Sequence, residues 1–199
     1  MEGPEKGRAA GTEISEWEYQ RLVSRLEFDD TMRNQLLTFS FTTVLAVLGV
    51  ALGLERQTKT NAFLCLIPFL LILPFEARIA YYRLESAHIS SFLAVYAGEH
   101  WRYSIGNGVV KEGISKHYGL MAWLGNHEMT LLGMAAGLVF YARYLPTVEE
   151  WTAAQYAALA LPAVPEGIIF LLANATMDYG RLKGEFQKQW ADYRQSQRK

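Results

Sequence analysis

The 199-residue chain has one cysteine, Cys65. A single thiol forms no intramolecular disulfide and no cysteine metal cluster. Charge of one sign is also missing, since 19 Lys and Arg stand against 20 Asp and Glu for a net charge of −1. That balance argues against a dedicated nucleic-acid binder, while leaving room for local basic patches. Residues before Leu36 are acidic and polar. They lack the basic n-region and short apolar core of a cleaved signal, so the first hydrophobic segment is expected to be retained and to act as the insertion signal. Catalytic patterns are scarce too: there is no Gly-x-Ser-x-Gly elbow, Walker loop or dinucleotide fingerprint, and no supporting Cys-His spacing. His127-Glu128 lacks the second histidine of a zincin helix. Glu85 and His88 form a single Glu-x-x-His, where a di-metal carboxylate site needs two plus further carboxylates. No metal, cofactor or enzyme activity is expected.

Apolar residues, in contrast, make up 51% of the chain, and most of the charges sit in blocks at both ends and in the middle. Leu36 to Leu54 is nineteen residues without a charge. As a helix it extends about 28 Å, enough to cross the hydrocarbon core of a bilayer. Its Ser and Thr hydroxyls can bond back to helix carbonyls. A buried core helix of a soluble protein is the alternative, but three more apolar stretches follow and compete for the same interior.

The expected fold is all-α: an integral membrane protein with four transmembrane helices and cytoplasmic helical extensions. Residues 1–14 read as a disordered tail rich in Gly, Glu and Lys. Residues 15–35 read as an amphipathic helix started by a Ser15/Glu18 capping box, with Trp17, Leu22, Leu26 and Met32 as its apolar set. That face is expected to dock on other cytoplasmic helices, or else to lie in the interface. A first transmembrane hairpin covers 36–82, its second span starting at Ala62 and carrying Pro68 and Pro74, each of which should cost a ladder hydrogen bond. Residues 83–127 form a helix continuing out of the second span, then a glycine-rich loop or hairpin from Ser104 to Gly125. The second hairpin covers 128–175: a span from Glu128 to Tyr144 with a small-residue face at Gly133, Ala135, Ala136 and Gly137, then one from Trp151 to Ala175 with Pro162, Pro165 and Glu166 inside. Residues 176–199 form a basic amphipathic helix.

Orientation follows from the cations. Fifteen of the 19 Lys and Arg lie in the two terminal blocks and the central one, and three in the short loops. The positive-inside rule then puts both termini and the centre in the cytoplasm, N-in and C-in. The two halves resemble each other in outline, with Pro74 and Glu76 answering Pro165 and Glu166. Parallel repeats and coincidence both account for this.

Charges within spans are costly, so Glu76, Arg78 and Glu166 should face protein or water. Glu76 and Glu166, with Thr38 and Thr42, are candidates to line a conduction path or proton site. Glu76 and Arg78 have a plainer alternative, in which they are solvated or paired near the interface. Arg78, Arg83, Arg102, Lys111, Lys116 and Arg181 are candidates for an anionic ligand or lipid. Interleaved with Trp101, Tyr103 and Tyr118, the central cations suit a nucleotide by charge and stacking, or anionic lipid by charge alone.

Three stretches carry a resemblance: TFSFTTVLAVLG at 38–49, IPFLLILPFEARIAYYR at 67–83 and ISSFLAVYAGEHW at 89–101. Over about residues 15–103 the chain resembles small bacterial four-span membrane proteins of the kind that includes antiphage-defence membrane effectors of the Hailong type. The resemblance implies an ion-conducting homo-oligomer in the bacterial inner membrane, controlled by a nucleotide or oligonucleotide from a partner nucleotidyltransferase. It carries no ligand residue across. The expectation is therefore an oligomeric channel or membrane-depolarising effector gated through its cytoplasmic helices. A non-conducting scaffold or sensor that binds a cytoplasmic partner is the alternative, and an intramembrane enzyme using Glu85, His88 and Glu166 the third reading.

Overall fold

A computed structural model of the chain describes residues 14–54, 58–97 and 119–197. Among the described residues, helix is the only regular structure and no strand occurs. The elements are α1 (Glu16–Gly53), α2 (Lys59–Phe63), a 3₁₀ turn (Leu64–Leu66), α3 (Phe69–Tyr96), α4 (Gly119–Asn126), α5 (Glu128–Tyr144), a 3₁₀ turn (Leu145–Thr147), α6 (Ala153–Ala175) and α7 (Tyr179–Ser196). Among the described residues, three stretches are long and apolar enough to cross a membrane: Glu16–Gly53, Lys59–Tyr96 and Ala153–Ala175. The fourth expected span, α5, has 17 residues, about 26 Å of helix.

Local chemistry accounts for most boundaries. Ser15 Oγ accepts the Glu18 N–H at 3.2 Å, satisfying one of the orphan donors that open α1. Thr58 does the same for Asn61 at the start of α2. The Thr152 N–H donates to Gln155 Oε1 at 2.6 Å at the start of α6. Pro68, which has no N–H to give, falls in the turn between the 3₁₀ segment and α3, whereas Pro74 is absorbed within α3. The expected loop to Gly125 is corrected, because Gly119–Asn126 is helical. Its Leu-Met-Ala-Trp-Leu run favours helix more than the flanking glycines oppose it. The expected tail at 1–14 lies outside the described residues except for Ile14, as does the loop from Ser104 to Tyr118.

The chain divides into two compact units. The larger comprises residues 30–83 and 118–178. Its core takes Val44, Leu48 and Ala51 from α1, Phe69, Ile72 and Ile79 from α3, and Met129, Leu132, Ala136 and Phe140 from α5. These recur at three- and four-residue steps, so one stripe of each helix turns inward. The opposite stripes stay apolar and outward: Leu70 is 74% exposed and Leu138 65%. Only 22% of the most apolar window of α1 is buried. A helix left this greasy outside is suited to lipid rather than water.

The smaller unit comprises, among the described residues, 14–29, 84–97 and 179–197. Ile89 and Leu93 are its buried centre, covered by Tyr19, Leu22, Val23 and Leu26 of α1. Of the expected apolar set, Leu22 and Leu26 pack on α3, whereas Trp17 stays 70% exposed with the Arg21 guanidinium over its ring. The α7 helix is held against the end of α3. Ser91 Oγ donates to the Lys183 carbonyl at 3.0 Å, and Arg194 donates to the Val95 carbonyl at 2.8 Å.

Candidate functional site: polar groups among apolar helices

Glu76 and Arg83 share a face of α3, seven residues or two turns apart. Both are buried, at 1% and 7% exposure, and they form an ion pair at 3.4 Å. The Arg83 guanidinium also donates to the Asn126 and Gly125 carbonyls, at 3.3 and 3.5 Å, and to Thr176 Oγ1 at 3.4 Å. It thereby caps the last carbonyls of α4 and meets the residue that ends α6, groups that a helix C-terminus otherwise leaves unsatisfied. Arg83 is committed to this internal network, and Glu76 is its counter-ion. Arg78 points elsewhere: it is exposed and lies over the rings of Tyr82 and Tyr81, at 4.8 and 5.1 Å. That cation–π arrangement leaves the charge open to water or headgroups.

Thr38 and Thr42 are exposed on α1. Their hydroxyls donate to the carbonyls four residues back, Thr38 to Asn34 at 2.9 Å and Thr42 to Thr38 at 2.8 Å. With Asn34, Leu37, Phe41 and Glu128 they border an open groove of about 460 Å³. Asn34, Thr38 and Thr42 therefore form a polar line at four-residue spacing along one face.

Glu166 is placed differently from Glu76. Both carboxylate oxygens are buried and have no hydrogen-bond partner among the described residues. Oε2 sits against Gly133 of α5, in the space a Cβ there would fill, with the Phe69 ring also bordering that space. A neighbouring cavity of about 250 Å³ is bordered by Phe69, Gly133, Met134, Gly137, Tyr141 and Pro162, among others. Gly137 faces α6, where a Cβ would lie 3.5 Å from Pro162 Cβ, an ordinary packing contact. The Tyr141 hydroxyl is already donated to the Leu159 carbonyl at 2.8 Å.

The remaining candidates are dispersed. Arg181 is exposed and 3.8 Å from Glu185, while Arg102, Lys111 and Lys116, with their flanking aromatics, lie outside the described residues. The Glu85 carboxylate is held by a two-pronged Arg25 contact, both bonds 3.1 Å. His88 packs against Trp190 and Phe186 at 5.0 and 5.2 Å.

Two residues gain importance that their sequence setting did not suggest. Arg143, in the last turn of α5, donates to the carbonyls of Ala51, Leu52 and Leu54 and so caps the end of α1. His127 is fully buried, stacked on Trp123 at 4.5 Å, with Nδ1 at 3.0 Å from the Trp123 carbonyl. Its Nε2 has no hydrogen-bond partner among the described residues. The sequence offered a signal only for Arg143, as a cation in the last turn of an apolar helix. No protein-family model, curated protein or solved structure matches the chain.

Proposed function

We propose that the chain is a four-span protein of the bacterial inner membrane, N-in and C-in, that assembles with copies of itself into an ion channel or membrane-depolarising effector. The observation that carries this reading is the Asn34, Thr38 and Thr42 line, which is exposed on a helix otherwise fit for lipid. The two threonine hydroxyls donate to carbonyls of their own helix, so the line presents oxygen acceptors rather than hydrocarbon to the open groove it borders. A symmetric assembly would turn the same line from every copy toward a shared axis and leave the leucine-rich faces to lipid. On the resemblance of residues 15–103, the activity serves antiphage defence and answers to a nucleotide or oligonucleotide made by a partner enzyme.

The test is ion flux through the purified protein in liposomes, with the oligomeric mass measured in the same detergent. Flux from a defined oligomer is expected, and the Thr38→Val, Thr42→Val double substitution should reduce unitary conductance at least twofold. Unchanged conductance would remove the line from the conducting path. A non-conducting scaffold is the second reading, favoured by the outward aromatics Trp17 and Tyr193, 70% and 53% exposed. A defined oligomer that passes no ions, with or without candidate nucleotides, would select it.

A further inference from the structure

Among the described residues, the Glu166 carboxylate is the acidic group within the apolar helices that the subunit leaves unanswered. Glu76 has Arg83, and Glu85 has Arg25. Around Glu166 no cation approaches, and both oxygens are shut off from solvent without a hydrogen bond among the described residues. An isolated buried carboxylate is too costly to keep charged, so it takes up either a proton or a positive ligand. The surroundings decide which ligand fits. The cavity beside it is about 250 Å³ and almost wholly apolar, with the Phe69 and Tyr141 rings, the Met134 side chain and Pro162 at its walls. A hydrated metal ion finds no set of oxygens there, because Glu166 brings the cavity's one carboxylate and Tyr141 has spent its hydroxyl on Leu159. Glu166 borders the cavity, and a turn of its side chain that brings the covered oxygens to the cavity wall lets an ammonium on a short apolar body satisfy both halves of the site: charge to the carboxylate, hydrocarbon to the walls. Gly133 completes the fit, since any side chain there would compete with the carboxylate for its seat.

We propose that this cavity binds a small hydrophobic ammonium ion, with Glu166 as counter-ion. The site is built from α3, α5 and α6 of one subunit and does not rest on the conducting assembly. A failure of ion flux therefore says nothing about it, and a failure of binding says nothing about flux.

The probe is benzylammonium, titrated calorimetrically into the intact protein in detergent, with benzyl alcohol as the uncharged control. Saturable binding of the amine is expected, at least tenfold tighter than the alcohol. Glu166→Gln should weaken the amine at least tenfold and leave the alcohol unchanged, whereas Glu166→Asp should retain most of the amine affinity. Equal affinity for amine and alcohol, or amine binding indifferent to Glu166→Gln, would overturn the proposal. A measurement on the unsubstituted protein covers the case of a misfolded variant. Labelling of Glu166 by a hydrophobic carbodiimide, located by mass spectrometry, should fall at saturating benzylammonium and not with benzyl alcohol; labelling that ignores the amine would again overturn it. Repeating the titration in phosphatidylcholine nanodiscs, with and without phosphatidylethanolamine, separates two sources of the same chemistry. Competition by the aminolipid points to a headgroup ammonium, and its absence to a free amine.

Discussion

Glu76 and Glu166 are both carboxylates placed close after a proline in an apolar helix, and their fates diverge through helical register. Two residues along, Arg78 projects about 200° away from Glu76 around the helix, whereas Arg83 at seven residues returns to the same face. The pairing of Glu76 was thus open to a sequence reading, but its partner is the farther arginine. Removing one member of the buried pair should be severe. Arg83→Met is expected to destabilise the protein by about 3–5 kcal/mol, with the Glu76→Leu, Arg83→Met double substitution recovering most of that loss. Chemical denaturation in detergent measures both. Equal losses for the single and double substitutions would show that the Asn126, Gly125 and Thr176 contacts of Arg83, rather than the ion pair, carry its effect. The isolation of Glu166 was legible as a lone charge beside Pro165. Its seat against Gly133 was not, because contacts between α5 and α6 depend on packing that no local pattern encodes.

At the scale of elements, apolar length and helix-stopping chemistry revealed most of the map. The ends of α5 at Glu128 and Tyr144 coincide with its expected limits, set by charge on one side and Pro146 soon after the other. The helix at Gly119–Asn126 was hidden behind glycines, whose helix penalty is only about 1 kcal/mol each and yields to a run of good helix formers. Pro68 and Pro74 looked equivalent, yet one falls at a break and the other inside α3. Proline breaks the helix where a turn is already forming, and neighbours absorb it elsewhere. The joint between α1 and α5 rests on Arg143. Arg143→Ala should lower stability by about 1 kcal/mol, since carbonyls at the end of α1, two of them partly buried, lose a charged donor. Faster amide hydrogen exchange over residues 49–54 would locate the loss at the end of α1, and an unchanged rate there would argue against capping.

For the whole molecule, the central structural fact is helices whose apolar faces are mostly left outside, and the proposed topology turns on where the ends of those helices lie. In a Cys65→Ala background, Thr58→Cys and Lys188→Cys should react with an impermeant thiol reagent from opposite sides of a sealed membrane. Labelling of both from one side would refute the four-span arrangement. Cys65 itself is buried, so its replacement by alanine trades one small buried side chain for another. The Arg143 contact has a consequence in time as well as in space. The carbonyls it covers lie 89 to 92 residues earlier in the chain. At ribosomal speeds of about 5–20 residues per second, they wait roughly 5–20 s for their donor. During synthesis α1 is therefore an unfinished helix, and a product truncated before residue 143 would keep it so. A second half expressed as a separate chain would supply the missing guanidinium, making this protein a candidate for reconstitution from two fragments.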